Sequence, residues 1–459
     1  MPLKIVLIGA GSQEFGPASI RDVLLSEILA RRDIHLVLMD KNATELPGHL
    51  RYARDIAARL GRQTHLSATT DLGEALEGAD FVISAIEVRR YFYWSQDFHI
   101  PRKYGFRQIY GENGGPGGLF HALRNFSPME EIVRAMEVHC PEAWLLNYTN
   151  PLTKICQMLT QNTAIRVVGL CHGVFMGKSQ IARLLGLPVA DLDALASGLN
   201  HFSWFHQIRH ATSGEDLYPR LKEAERRAHW LAEWDEIALS RILFRAFGLY
   251  PSPGANHIGE YIRWAPEFLA SDRLQYFYDP REKDPWKNGP VPTFVYNLDA
   301  RPTETPLQPA GHLQALYQVR PPEDPEAILP SGELAIPIIE GLAGGATHHL
   351  AAVNIPNRGA LVPGLPENAV VEVPATVDST GLHPLAAPAL PEGPLALLRT
   401  QCSIHQLLVD AYRRNSRDVL LQAMLLDPMV NSYPNAVHVI DEMFTLQEKV
   451  LPPLRWEGA

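Results

Sequence analysis

The chain has 459 residues, 46% of them apolar and 20% charged, the balance of a globular protein with room for two or three domains. Its formal net charge of −10, with no basic cluster, argues against nucleic acid as a partner. No run approaches the roughly 18 consecutive apolar residues of a membrane span. The four cysteines (Cys140, Cys156, Cys171, Cys402) show no paired spacing, which points to a reduced, cytoplasmic protein.

The opening "MPLKIVLIGAGS" has only Lys4 before its apolar run and ends in glycines, so it reads as a first strand and not as a signal peptide. "PASIRDVLLSEILA" follows with helical period, and "IHLVLMDKN" is a second apolar strand ending at Asp40. "DLGEALEGADFVISAIE" gives a helix and another buried strand, and "AWLLNYTNP" and "IRVVGLCHG" add two more. Apolar strands alternating with helices predict an α/β fold with a doubly wound, Rossmann-like parallel sheet at the N-terminal end.

In the first turn, "GAGSQEFGP", Gly9 and Gly11 allow the backbone to approach a pyrophosphate at the following helix N-terminus. Glu14 stands where the third glycine of the fingerprint belongs, and the next glycine is Gly16. Asp40 is placed to bind ribose hydroxyls, and its charge favours NAD over NADP. Ligands of such sheets sit beyond the carboxyl ends of the strands, which gathers Ile86–Glu87, Asn147–Pro151 and Cys171–His172 round one crevice. Asn147 and Asn150 offer carboxamides to a cofactor or a sugar, or serve as turn residues before Pro151.

Downstream, "ASGLNHFSWFHQI" reads as an alternating strand starting at Asn200 and His201. A thiolate and an imidazole from separate strand ends can share one divalent metal, with substrate or water completing the sphere. The bland alternatives are a small buried thiol and a hydrogen-bonded histidine.

Taken together, "GAGSQEF", "NYTNP", "GLCHGV", "GLNHFSWF" and "VEVPATVDSTGLHP" resemble glycoside hydrolase family 4, in the family's order and over most of the chain. The resemblance implies NAD and a divalent metal, usually Mn²⁺. It implies transient oxidation at sugar C3, deprotonation at C2, elimination at C1 and addition of water, outside the usual two-carboxylate scheme. Cys171 and His201 match the metal-ligand positions. Gly9, Gly11, Ser12, Phe15, Asp40, Glu87, Asn147 and Asn150 fall in the cofactor-binding motifs. In "GANHIGEYIRW", Tyr261 stands at the place of the base, with His257 and Glu260 as rivals. Glu112 in "YGENGGPGG" and His172 are both candidates for the acid. "CHGV" is similar to the α-glycosidase side of the family, acting on galactosides, glucosides or uronides without phosphate. Arg89, Arg90 and Arg124 can pair a uronate carboxylate, or be surface charges. The resemblance also implies a homodimer or homotetramer.

Past residue 200 the strand–helix alternation stops. A polar helical stretch leads towards Tyr261, and the Pro-rich residues 279–308 read as an extended loop or lid. Two or three strands follow over 344–377, with turns at Asn357–Gly359 and Pro366–Asn368, and then helices by apolar period. His405 and Cys402 read as structural, and adjacent His348 and His349 point to opposite faces of a strand. The expected division is a dinucleotide-binding domain over 1–198 and a mixed α/β substrate and metal-site domain over 199–459. Without the metal pair, the same sheet fits an NAD-dependent 2-hydroxy acid dehydrogenase or a non-catalytic nucleotide sensor.

Overall fold

The computed structural model describes residues 2–12, 15–227, 238–267, 274–275, 295–296 and 328–458. Apart from 295–296, the Pro-rich stretch 279–308 lies outside the described residues, as do Glu14 and 228–237 of the polar helical stretch.

The first six strands are β1 (Leu3–Ile8), β2 (Ile34–Met39), β3 (His65–Thr69), β4 (Phe81–Ser84), β5 (Trp144–Asn147) and β6 (Arg166–Gly169). They pair in parallel in the order β3-β2-β1-β4-β5-β6, a doubly wound α/β sheet. Both faces are covered. Ile5 and Leu7 of β1 enter one apolar cluster, and Val6 and Ile8 enter another. That is why the strand is an unbroken apolar run and not an alternating one. The crossovers are α1 (Phe15–Leu25), α2 (Leu46–Arg59), α3 (Leu72–Leu76), α4 (Arg90–Lys103), α5 (Gly115–His139) and α6 (Leu152–Asn162). β3 and the helices α2, α4, α5 and α6 go beyond the elements expected from the sequence. β3 is a partly exposed edge strand without the apolar run that marks its neighbours.

The helix α7 (Gly173–Leu185) leads to β7 (Leu192–Leu199), which turns at Asn200–His201 into β8 (Phe202–His210). The alternating strand is thus the second arm of a hairpin, and His201 belongs to its turn. The helices α8 (Tyr218–Arg227) and α9 (Ala238–Phe247), the two-residue β9 (Pro251–Ser252) and α10 (Ala255–Gly259) bring the chain to Tyr261. Two short strands, β10 (Leu274–Gln275) and β11 (Val295–Tyr296), pair with each other and, among the described residues, with no other strand.

The strands β12 (His348–Pro356), β13 (Val370–Asp378) and β14 (Gly381–Pro384) then extend the first sheet. Its order continues β6-β12-β13-β7-β8-β9, with β14 against β13, so one twelve-stranded sheet runs through residues before and after 198. The C-terminal helical stretch breaks at Asn415, which has φ 52°, into Glu392–Arg414 and Arg417–Leu426, and Tyr433–Leu446 follows. Among the described residues no helix is long and apolar enough to cross a membrane, and all four cysteines are free.

Candidate active site

The glycine turn after β1 has the geometry of a dinucleotide cradle. Gly9 has φ 84°, and a Cβ there would lie 2.3 Å from Ala85 O. At Gly16 a Cβ would lie 2.4 Å from Ala10 O. Gly16 therefore does the work of the fingerprint's third glycine, the close helix–strand contact, two residues later than the motif predicts. Asp40 Oδ2 accepts from Gly11 N–H at 2.9 Å and Oδ1 from Asn42 N–H at 2.8 Å, so its carboxylate is fixed with lone pairs to spare. Ser12 Oγ accepts from Phe15 N–H at 3.2 Å, and the Phe15 ring lies 5.4 Å from that of Tyr148. No acid stands in the first turn of α1, which leaves its positive end open to an anion.

At the end of β4, Glu87 Oε2 is 2.7 Å from His121 Nε2, while His121 Nδ1 donates to Glu112 O at 2.8 Å. Both ring nitrogens thus face oxygen acceptors. Burial raises the Glu87 pKa, but the charges of His121, Arg124 and Arg90 outweigh it and hold the carboxyl at about 2. Asn125 Nδ2 bridges Glu87 Oε1 at 3.4 Å and Asn150 O at 3.1 Å. Asn147 is turned inward. Its Oδ1 accepts from Ser84 Oγ at 2.9 Å and Thr149 N–H at 3.1 Å, and its Nδ2 donates to Thr149 O at 3.2 Å. Asn150 Oδ1 caps Leu152 N–H at 3.3 Å. His121 and Asn125 stand in "GLFHALRNF", polar residues within an apolar helix, and that contrast is the signal that marks them.

Beyond β6 and β7, Cys171 Sγ lies 3.3 Å from His201 Nε2. Donors bound to one ion at the usual metal–sulfur and metal–nitrogen lengths stand roughly 3.1–3.6 Å apart, so the pair fits a shared divalent metal. His201 has φ 61°, a backbone conformation uncommon for a non-glycine residue, held here by the β7–β8 turn. Its Nδ1, Asn200 Oδ1 and Asn354 Oδ1 are buried without a hydrogen-bond partner among the described residues. Burial pushes the Cys171 thiol up to about 12 and the His201 imidazole well below its usual value. The thiol is thus protonated against a neutral ring. Glu372 of β13 supports the turn, accepting from Ser203 Oγ at 2.6 Å, Asn200 Nδ2 at 3.1 Å and Asn354 Nδ2 at 3.2 Å. Burial raises its pKa.

The second-half residues meet this pair. The His257 ring is edge-on to His201, with centroids 4.4 Å apart. Tyr261 is buried and stacked on Phe202 at 4.8 Å, its phenol held far above its ordinary pKa by burial and by Glu260 and Glu112. The Glu260 carboxylate accepts backbone N–H groups of Glu112 and Asn113, at 2.7 and 3.0 Å. Glu112 is ion-paired to Arg90; burial raises its pKa, but Arg90, His257 and His121 bring it below the usual value. Arg90 also faces Glu87 at 3.6 Å. Arg124 is fully buried against Asp97, so it meets no substrate; Arg89 is exposed, over the Phe92 ring. His172 Nδ1 donates to Glu333 Oε1 at 2.6 Å, and this bond raises its pKa. Ser331, beside Glu333, binds Asp22 of α1 through its N–H at 2.7 Å.

A glycine turn, an acid-tipped second strand and a cysteine at the carboxyl ends of the parallel strands, with a histidine brought to that cysteine by the β7–β8 turn, define an enzyme on a dinucleotide-binding framework. Two family descriptions fit the chain: "Family 4 glycosyl hydrolase" matches residues 4–187, and "Family 4 glycosyl hydrolase C-terminal domain" matches 196–430. The chain belongs to glycosyl hydrolase family 4, as its motifs implied, and is a glycoside hydrolase and not a hydroxy acid dehydrogenase. It is similar to an α-glucosidase of Erwinia rhapontici, 32% identical over 99% of this chain and 100% of that one. An α-galactosidase of Rhizobium meliloti (strain 1021) is 31% identical over 98% of this chain and 89% of its own. A crystal structure of a 6-phospho-α-glucosidase from gut microorganisms, in complex with NAD and Mn²⁺, shares the fold. Its TM-score is 0.72 at 21% identity, covering 99% of this chain and 100% of that one.

Proposed function

We propose that the protein hydrolyses α-glycosides of sugars without phosphate, with NAD and a divalent metal, Mn²⁺ first among them. The observation that carries this is the Cys171–His201 contact of 3.3 Å beyond the strand ends of the glycine-turn sheet. The α-glycosidase relatives and the neighbour crystallised with NAD and Mn²⁺ support it.

When bound, NAD supplies a hydride acceptor and the metal supplies Lewis-acid polarisation of sugar oxygens. Gly9, Gly11, Ser12 and Phe15 would seat the dinucleotide, and Asp40 would accept from its ribose hydroxyls. Glu87, fixed by His121 and Asn125, would line the cofactor site together with Asn150. Asn147 acts from below by holding β5 to β4. Cys171 and His201 would hold the metal. Tyr261 is the proposed base at C2, and positive charge in the site is what lowers a buried phenol's pKa. Glu112, kept ionised by Arg90, suits hydroxyl contacts. His172, whose protonated form the hydrogen bond to Glu333 favours, suits proton delivery to the leaving oxygen. Arg124 is neutralised by Asp97 and Arg90 by Glu112 and Glu87. That supports neutral α-glucosides or α-galactosides over uronides.

The test is dialysis against a chelator, then assay of nitrophenyl α-glucoside, α-galactoside, α-glucuronide and α-galacturonide with and without NAD, Mn²⁺ and a thiol reductant. Turnover of a neutral glycoside that needs both additions is the expected result. Full activity without either overturns the reading.

Metal binding is expected to release one proton between pH 6 and 8, from Cys171 alone, because His201 is already neutral. The Mn²⁺ Kd then falls about tenfold per pH unit. Calorimetry in two buffers of different ionisation enthalpy counts that proton, and a count of zero contradicts the thiol as ligand.

A further inference from the structure

Three buried ionisable side chains from distant parts of the chain close on the short loop that presents Glu112. Lys154, in the first turn of α6, donates from Nζ to Asn113 O. Glu260, just after α10, accepts Glu112 N–H at 2.7 Å and Asn113 N–H at 3.0 and 3.2 Å. Asp427, after the helix Arg417–Leu426, acts electrostatically on Lys154 and accepts the Gly115 N–H. Lys154, Glu260 and Asp427 are 3%, 1% and 3% exposed. His121 takes the remaining backbone group, Glu112 O. The Glu112 backbone is thus fixed on both sides by buried side chains.

Burying ionisable groups is costly, and burial pushes the Glu260 carboxyl up to about 8; apolar residues of similar volume often stabilise as well or better. Their position offers another reason. We infer that Lys154 and Glu260 form a clamp that sets the path of the Glu112–Asn113 backbone, and so are positioning residues for the reaction. They act through the loop and touch no substrate. The clamp joins the α10 segment, which carries His257 and leads into Tyr261, to the loop that carries Glu112. This rests on the reading above of Glu112 as a substrate contact.

The test uses the full chain with NAD and Mn²⁺ and the variants Lys154→Met, Glu260→Gln, their double, and Glu112→Gln as a control. Lys154→Met is expected to lower kcat roughly 30-fold with KM changed by less than about threefold, the scale of a small misplacement of a reacting group. Amide exchange at Glu112 and Asn113 should quicken in Lys154→Met, and less in Glu260→Gln, whose amide oxygen can still accept their N–H groups, while exchange in β1 and β5 stays unchanged. The double removes one of the two buried acids that Lys154→Met leaves without a cation, Asp427 being the other, so thermal stability should recover in part while kcat stays low. Recovery of kcat together with stability, or unchanged exchange at Glu112 and Asn113, overturns the proposal. If Lys154→Met does not fold, the double and Glu260→Gln give the same readouts. A Glu112→Gln variant within twofold of wild type would defeat the reading of Glu112 alone, because the exchange result does not depend on it.

Discussion

Replacing Cys171 by serine is expected to lower kcat/KM for the best α-glycoside by about three orders of magnitude, the several kcal/mol a Lewis-acid metal contributes. The reason is donor chemistry. A serine hydroxyl keeps its proton near neutral pH and is a poor soft-to-borderline ligand, so His201 would be left as a single donor. The fold should not suffer. Cys171 is only half-buried, and its further polar contacts, Gly173 N–H at 3.4 Å and the Asn200 side chain, are ones an oxygen can also accept. Folding stability should therefore change by less than about 1 kcal/mol, and NAD affinity should be retained. In the wild type, oxidants should abolish activity and a thiol reductant restore it; the serine variant should lack that recoverable fraction. The measurements are steady-state kinetics with added Mn²⁺, NAD titration and thermal melting. Retention of more than about a tenth of the activity would exclude Cys171 as a metal ligand.

What could be read from the sequence was what leaves a periodic or chemical mark. The strands buried on both faces were legible because a parallel sheet makes them continuous apolar runs. Cys171 and His201 were legible as residue types at the ends of segments. Their meeting was not, because it depends on a turn with φ 61° at His201 and on β12 and β13, which come some 150 residues later and enter the sheet between β6 and β7. β7 was missed because "LDALASGL" alternates weakly, though it pairs along its length with β8. Gly16 was seen only as a misplaced glycine, since its job is a distance to Ala10 O that no motif spacing encodes. Glu372 in "VVEVPATV" and Lys154 in "PLTKICQML" each break an apolar run with a charge, and that was the available hint. For Glu333 the local sequence gives no hint, because its importance lies in reaching His172 from 161 residues away.

Arg124 is the residue where the sequence left two readings and the structure supports neither, and it carries the largest expected effect on stability. Its guanidinium donates to Asp97 through Nη2 at 2.7 Å and Nη1 at 3.2 Å, with both side chains wholly buried. Gln447 joins them, accepting from Arg124 Nη1 at 2.9 Å and donating to Asp97 Oδ1 at 2.9 Å. The cluster ties α4 and α5 to the residue after the C-terminal helix Tyr433–Leu446. Asp97→Ala should therefore destabilise folding by about 3–5 kcal/mol, since a guanidinium cannot shed its proton and would be left buried without its counter-ion. Arg124→Met in the same chain should recover much of that loss, because a neutral pair of side chains no longer strands a charge. Denaturant unfolding of the two singles and the double measures this directly. If Arg124 instead faced a uronate, Arg124→Met would abolish uronide turnover and leave stability unchanged. The geometry predicts the reverse: lower stability, with the preference among sugars unaltered.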